Sequence, residues 1–123
     1  MLKQITLAAS MVLAGAQMAL ADMQLVMVEQ PGCAYCAAWN DEIAPAYPKT
    51  AEGRFAPLVR ADLHIGPPKG VEYARRVNFT PTFILIDNGA EVARIEGYPG
   101  EDFFWPIFAK LLQDHSGFEP VGN

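Results

Sequence analysis

The run Phe83-Ile84-Leu85-Ile86 is apolar at every position, and two residues later stands the pair Asn88-Gly89. A strand with no polar face belongs inside a layered fold, and Asn-Gly is the dipeptide that a two-residue type I′ turn wants. The sequence therefore predicts a buried strand and a hairpin in which residues 91–96 return antiparallel. Upstream, Met23 to Glu29 reads as a short strand that ends at Pro31-Gly32. From Cys33 the period changes: Trp39, Ile43 and Tyr47 fall at i, i+4 and i+8, one stripe of a helix. Pro45 has no donor for residue 41 and should kink or end that helix, and Pro48 closes it. Residues 56–63 read as a second strand, 64–70 as a loop and 71–77 as a short helix. Phe104, Ile107, Phe108, Leu111 and Leu112 mark a last amphipathic helix. Its start has two readings: Glu101 and Asp102 suit a first turn as acids, and Pro106 suits one as an imino acid. The order β-α-β-α-β-β-α predicts one α/β domain with a central mixed sheet flanked by helices. Its first two strands should be parallel and its hairpin an antiparallel edge.

The first 21 residues stand apart from that order. Lys3 is followed by an uncharged, mainly apolar stretch and then Ala19-Leu20-Ala21, the layout of an export signal cleaved between Ala21 and Asp22. The stretch is short for a membrane span and is broken by Ser10 and Gln17. The expected division is a signal peptide over 1–21 and a domain over 22–123, soluble after cleavage and located in the periplasm. Removing Lys3 leaves 8 basic against 14 acidic residues, so the net charge moves from -5 to -6. That acidic balance gives no support for nucleic-acid binding, which normally shows a basic face.

The only two cysteines, Cys33 and Cys36, lie in PGCAYC at the junction of first strand and first helix. A helix beginning at Cys33 aims its free N–H groups and the positive end of its dipole at that sulfur, and both favour thiolate. Cys36, three residues on, faces the same side at a separation a disulfide can span. Gly32 leaves room for a second backbone beside Cys33. A structural staple is the weaker reading, because so small a loop gains little from closure. A metal site would need more ligands, and neither His64 nor His115 has ligand spacing to the pair. The predicted chemistry is thiol-disulfide exchange, with Cys33 as exposed nucleophile and Cys36 as the deeper, resolving thiol. The two sulfurs carry the electrons, so no cofactor is implied.

Thr80-Pro81-Thr82, immediately before the buried strand, adds a second motif, and with it the chain resembles the thioredoxin superfamily. Pro81 stands 48 positions after Cys33, and the resemblance covers nearly the whole mature chain. It implies a minimal thioredoxin-like fold without thioredoxin's extra N-terminal strand and helix, and a cis bond at Thr80–Pro81. It also implies a substrate-binding role for Tyr35, Thr80 and Pro81. Tyr98 and Trp105 are further candidate contacts. Cytosolic members place a buried aspartate six residues before the first cysteine. That position is Met27 here, which leaves the proton-transfer group for Cys36 unassigned. Tyr35 before the second cysteine is similar to glutaredoxins and periplasmic disulfide isomerases. More narrowly, EQPGCAYCAAWNDEIAPAYPKTAEGRFAPLVRADLH together with TPTFILIDNGAEVARIEGYPG resembles the small periplasmic thioredoxin-like proteins of bacterial sulfur-oxidation (Sox) clusters. That implies a reductant whose client is an exported sulfur-carrier protein with a reactive cysteine, recharged by a membrane thiol-electron donor. The alternatives are a periplasmic disulfide donor or isomerase, and a redox-regulatory binding protein.

Overall fold

The computed structural model describes residues 22–120 together with Ala8 and Ser10. The expected leader otherwise lies outside the described residues, as does its cleavage site. The elements are β1 (Met23–Glu29), α1 (Ala34–Glu42), a 3-10 turn (Tyr47–Lys49), α2 (Ala51–Phe55), β2 (Leu58–Asp62), β3 (Thr82–Asp87), β4 (Ala90–Glu96) and α3 (Glu101–Ser116). They form a four-stranded sheet in the order β2-β1-β3-β4. β1 runs parallel to β2 and antiparallel to β3, and β4 pairs antiparallel with β3 at the edge. Among the described residues, no helix is long and apolar enough to cross a membrane.

Side chains alternate across the two faces of the sheet. Leu25 and Met27 of β1 with Phe83 and Leu85 of β3 join a core built on Trp39, Tyr47, Phe104 and Phe108. Trp39 sits at its centre, 5.1 Å from the ring of Phe83 and 5.8 Å from that of Phe104. Val26, Val28, Ile84 and Ile86 form the opposite face. The hairpin turns as the sequence predicts: Asn88 and Gly89 both take positive φ, +50° and +87°. A Cβ on Gly89 would also lie 2.5 Å from the carbonyl oxygen of Gly70. α1 ends before Pro45, where the N–H groups of Ile43 and Ala44 both donate to Trp39 O, at 2.9 and 3.1 Å. α3 begins at Glu101, so Glu101 and Asp102 are the first-turn acids and Pro106 lies inside the helix.

Two expectations change. The short helix lies earlier than predicted, over Ala51–Phe55, capped by Thr50 Oγ1 accepting from the N–H of Gly53 at 2.9 Å. No helix forms over 71–77, where the chain runs extended across the second face of the sheet. Val71 and Tyr73, two apart, pack there with Val77, which is a strand-like rather than a helical spacing. Glu72 bridges to the hairpin, its N–H donating to Gly89 O at 2.7 Å and its carbonyl accepting from Glu91 N at 3.1 Å.

The remaining backbone of this segment is held by a buried ion pair. Arg94 and Glu91 are 4% and 3% exposed and meet at 2.5 Å. The pairing of β3 with β4 shifts register between Leu85 and Ile86, leaving Val92 as an extra residue. That bulge lets residues three apart share a face, which regular alternation would forbid. Arg94 then donates to the carbonyls of Arg75 (2.9 Å) and Arg76 (3.3 Å), and Glu91 accepts from Ala74 N at 3.4 Å. Arg94→Leu strands a buried carboxylate and frees two carbonyls, so urea unfolding should show a loss of about 3 kcal/mol. Arg75→Ala, which removes a 61% exposed side chain with one exposed pair and one long 4.0 Å contact to Glu91, should cost under about 1 kcal/mol. Equal losses for the two variants would refute this account of the segment.

Candidate functional site

β1 delivers the cysteine motif. Past Glu29, Pro31 and Gly32 occupy the middle of a turn closed by Cys33 N donating to Gln30 O at 3.4 Å. Gly32 has φ +78°, which the third position of a type II turn demands, and the space beside it is open. The helix proper begins at Ala34, so Cys33 is its N-cap, with extended backbone. Its Sγ accepts the N–H of Cys36 at 3.1 Å, the place a serine oxygen takes in an ordinary cap. The two cysteines are joined in a disulfide with Cα atoms 5.2 Å apart. Their environments differ: Cys36 is 3% exposed within the aromatic core, whereas Cys33 lies half-buried at its edge. Tyr35, between them, is 66% exposed.

A cavity of about 420 Å³ opens beside the disulfide and is lined by Cys33, Cys36, Glu29 and Asn40 among others. Glu29 is the carboxylate in that lining. Arg60 Nη1 donates to its Oε2 at 2.7 Å and to Asn40 Oδ1 at 2.9 Å, and Asn40 Nδ2 donates to its Oε1 at 3.3 Å. Met27, one turn of the pleat earlier, is fully buried, and Arg60 approaches its sulfur at 3.7 Å. The carboxylate therefore stands at position 29, on the cavity wall, and the aspartate position of the cytosolic proteins is apolar.

The Thr80–Pro81 peptide bond is cis. Pro81 is buried and its carbonyl accepts from Gly97 N at 2.8 Å, while Thr82 Oγ1 donates to Phe79 O at 2.7 Å. Gln30 Nε2 donates to Thr80 Oγ1 at 2.8 Å. The amide oxygen of Gln30 is then left to accept from His64 Nε2 at 3.1 Å, which fixes the proton on that ring nitrogen. Gln30 thus ties the cysteine turn to the proline loop and to the loop after β2. Among the described residues, the backbone N–H and C=O of Thr80 have no hydrogen-bond partner.

Sequence reasoning missed Gln30 and treated His64 as an ordinary loop residue. Their partners are 50 and 34 positions distant, beyond any local pattern. Tyr98 and Trp105, the further candidate contacts, both have partners within the fold. Tyr98 is buried and donates to Glu42 Oε2, and its phenol is pushed up by burial and by that carboxylate. Trp105 stacks on Tyr47 at 6.2 Å. Gln30→Leu keeps the volume and removes both bonds, so the oxidised protein should lose about 1 kcal/mol in urea unfolding. The amide order parameter at Thr80 should fall from about 0.85 toward 0.6. An unchanged order parameter would mean that the proline loop holds itself.

The family model of thioredoxin-like domains matches residues 14–112. No curated protein matches the chain. Among solved structures, the periplasmic thioredoxin SoxS from Paracoccus pantotrophus, in its reduced form, is similar at 56% identity and TM-score 0.72. That match covers 74% of this chain and 96% of SoxS. Thioredoxin-2 of the malaria parasite, a component of its protein secretion machinery, is similar at 21% identity and TM-score 0.54. It covers 77% of this chain and 84% of that one, and supports the fold alone.

Proposed function

The chain belongs to the thioredoxin-like family and is a thiol-disulfide oxidoreductase, and from that premise we propose that it acts in the periplasm as a reductant of protein disulfides. The observation that carries the proposal is the unequal pair of sulfurs: Cys33 accessible at a helix N-terminus, Cys36 buried behind it. The likeness to a periplasmic thioredoxin supports the location and the direction. The leader pattern over 1–21 supports export, and N-terminal sequencing of periplasmic protein should begin at Asp22.

The reaction follows from the geometry. In the reduced protein the Cys33 thiolate, facing the Cys36 N–H and the helix terminus, attacks one sulfur of the client disulfide. An S–S bond forms between protein and client, and the client's other sulfur leaves as thiolate. Cys36 then loses its proton and attacks Cys33 Sγ, which releases the second client thiol and restores the Cys33–Cys36 disulfide. Two electrons have passed to the client. Glu29, the carboxylate on the cavity wall, takes the proton from Cys36. The free backbone of Thr80 pairs with the extended client segment, Pro81 presents no donor to the sulfurs, and exposed Tyr35 packs against the client. The likeness to SoxS favours a sulfur-carrier protein of a sulfur-oxidation system as client, with a membrane thiol donor restoring the dithiol.

Cys36→Ser should accumulate mixed disulfides with periplasmic proteins, resolvable on non-reducing gels, and Cys33→Ser should accumulate none. A Cys36→Ser protein that traps nothing would overturn the role of Cys33 as nucleophile. A reduction potential near that of thioredoxin, about -270 mV, is expected, and one near -120 mV would make the protein a disulfide donor instead. Glu29→Gln should leave mixed-disulfide formation unchanged and slow its resolution at pH 7 by about 100-fold. That deficit should shrink as pH rises well above the ordinary thiol range, about 8.5, where hydroxide can take the proton without Glu29. A deficit independent of pH would remove Glu29 from proton transfer.

A further inference from the structure

A second cavity, of about 410 Å³, opens at the same end of the sheet as the disulfide but over its other face. Val28, Leu63 and Val77 are apolar residues of its lining, and His64, Tyr73 and Arg76 give it polar groups. It adjoins the redox site through His64, whose ring bonds Gln30, a residue that itself lines the cavity at the disulfide.

The charges here are unequal. Arg75 and Arg94 pair with Glu91 and Glu96, whereas among the described residues Arg76 meets no carboxylate within 4.0 Å. Its backbone is nonetheless fixed, because Arg94 Nη1 holds its carbonyl at 3.3 Å. Asp62 is the one acid of the lining, and its Oδ1 is turned back onto its own loop, accepting from His64 N at 2.7 Å and Ile65 N at 3.3 Å. The hydroxyl of Tyr73 is buried with no hydrogen-bond partner. A chain of net charge -5 thus keeps an unpaired guanidinium, an imidazole and an orphan hydroxyl around one cavity, which His64 and Gln30 link by hydrogen bonds to Thr80.

We propose that this cavity is a specificity subsite that takes an acidic side chain of the client segment while that segment presents its disulfide to Cys33. The inference rests on the oxidoreductase reading above and adds the substrate class: disulfides in segments carrying Asp or Glu within a few residues of the reacting cysteine. Arg76 is exposed on the cavity lining, so a client carboxylate can reach its guanidinium and form a charge-assisted bond whose strength falls as salt rises.

The test uses the reduced mature protein and synthetic peptides, each with one cysteine in mixed disulfide with 2-mercaptoethanol and one Glu placed two, three or four residues to either side. A matched set carries Lys in place of Glu, and hydroxyethyl disulfide serves as an uncharged small substrate. At least one Glu position should be reduced about fivefold faster, as kcat/KM, than its Lys counterpart. Arg76→Ala should abolish that preference, and Arg76→Glu should reverse it, with hydroxyethyl disulfide turned over at the wild-type rate by both. Equal rates on all Glu and Lys peptides, with normal turnover of hydroxyethyl disulfide, would overturn the subsite and leave the oxidoreductase reading intact. A preference that survives in Arg76→Glu would likewise overturn it. Failure to reduce even hydroxyethyl disulfide would overturn both.

Discussion

β1 lies between β2 and β3, so both of its edges are hydrogen-bonded and both of its faces are covered by core. Val26, Met27 and Val28 are at most 1% exposed, and none of them can shift by one register position without exchanging the two cores. The residues that follow inherit that rigidity. Glu29 is still paired, its carbonyl accepting from Leu63 N at 2.9 Å, and Gln30 to Cys33 form a closed turn. The position of the Cys33 sulfur is therefore set by strand pairing rather than by loop packing. The same strand end supplies the carboxylate of one cavity and, through Gln30, the link to the other.

The opposite face solves a different problem. A helix laid over it would satisfy its own backbone, whereas the extended segment over 71–78 cannot. The bulge at Val92 turns Glu91 and Arg94 to that face, and the pair serves as a substitute, giving acceptor and donors to the segment's N–H and C=O groups. A buried ion pair contributes little net stability against well-packed apolar residues. What it contributes here is a defined path for the segment, including the backbone position of Arg76. Burial pushes the Tyr73 phenol up; the Arg94 guanidinium draws it back down, and Glu91 raises it again, so the ring is kept neutral in this charged setting.

How much of this the sequence made legible depends on distance along the chain. The Asn88-Gly89 turn, the helix stop before Pro45 and the strand of Phe83 to Ile86 follow from neighbours within a few residues. So does the placement of Cys33 at a helix start. The segment over 71–77 was misread because its apolar residues fit both a helical turn and a strand-like spacing, and the deciding partners, Gly89, Glu91 and Arg94, come from the hairpin. Gln30, His64 and Thr80 meet for the same reason, through contacts between separate loops. The local signal for α2 was present in Thr50, a good N-cap, but a five-residue helix offers too little periodicity to read.

Direction of electron flow is an energetic question that these contacts partly answer. Any group that favours the Cys33 thiolate stabilises the dithiol state and raises the potential, and about 30 mV corresponds to 1.4 kcal/mol. Reaching a strong oxidant from a thioredoxin-like value takes about 150 mV, or roughly 7 kcal/mol on that conversion. The Cys36 N–H cannot supply it, because it already bonds to Sγ in the disulfide form. Reduction changes a neutral hydrogen bond into a charge-assisted one, a gain of about 1 kcal/mol. The carboxylate of Glu29 on the cavity wall acts against a thiolate, and Arg60 offsets that only in part because it is 47% exposed. These two contacts alone therefore fall well short of what a disulfide donor requires, which supports the proposed reducing direction.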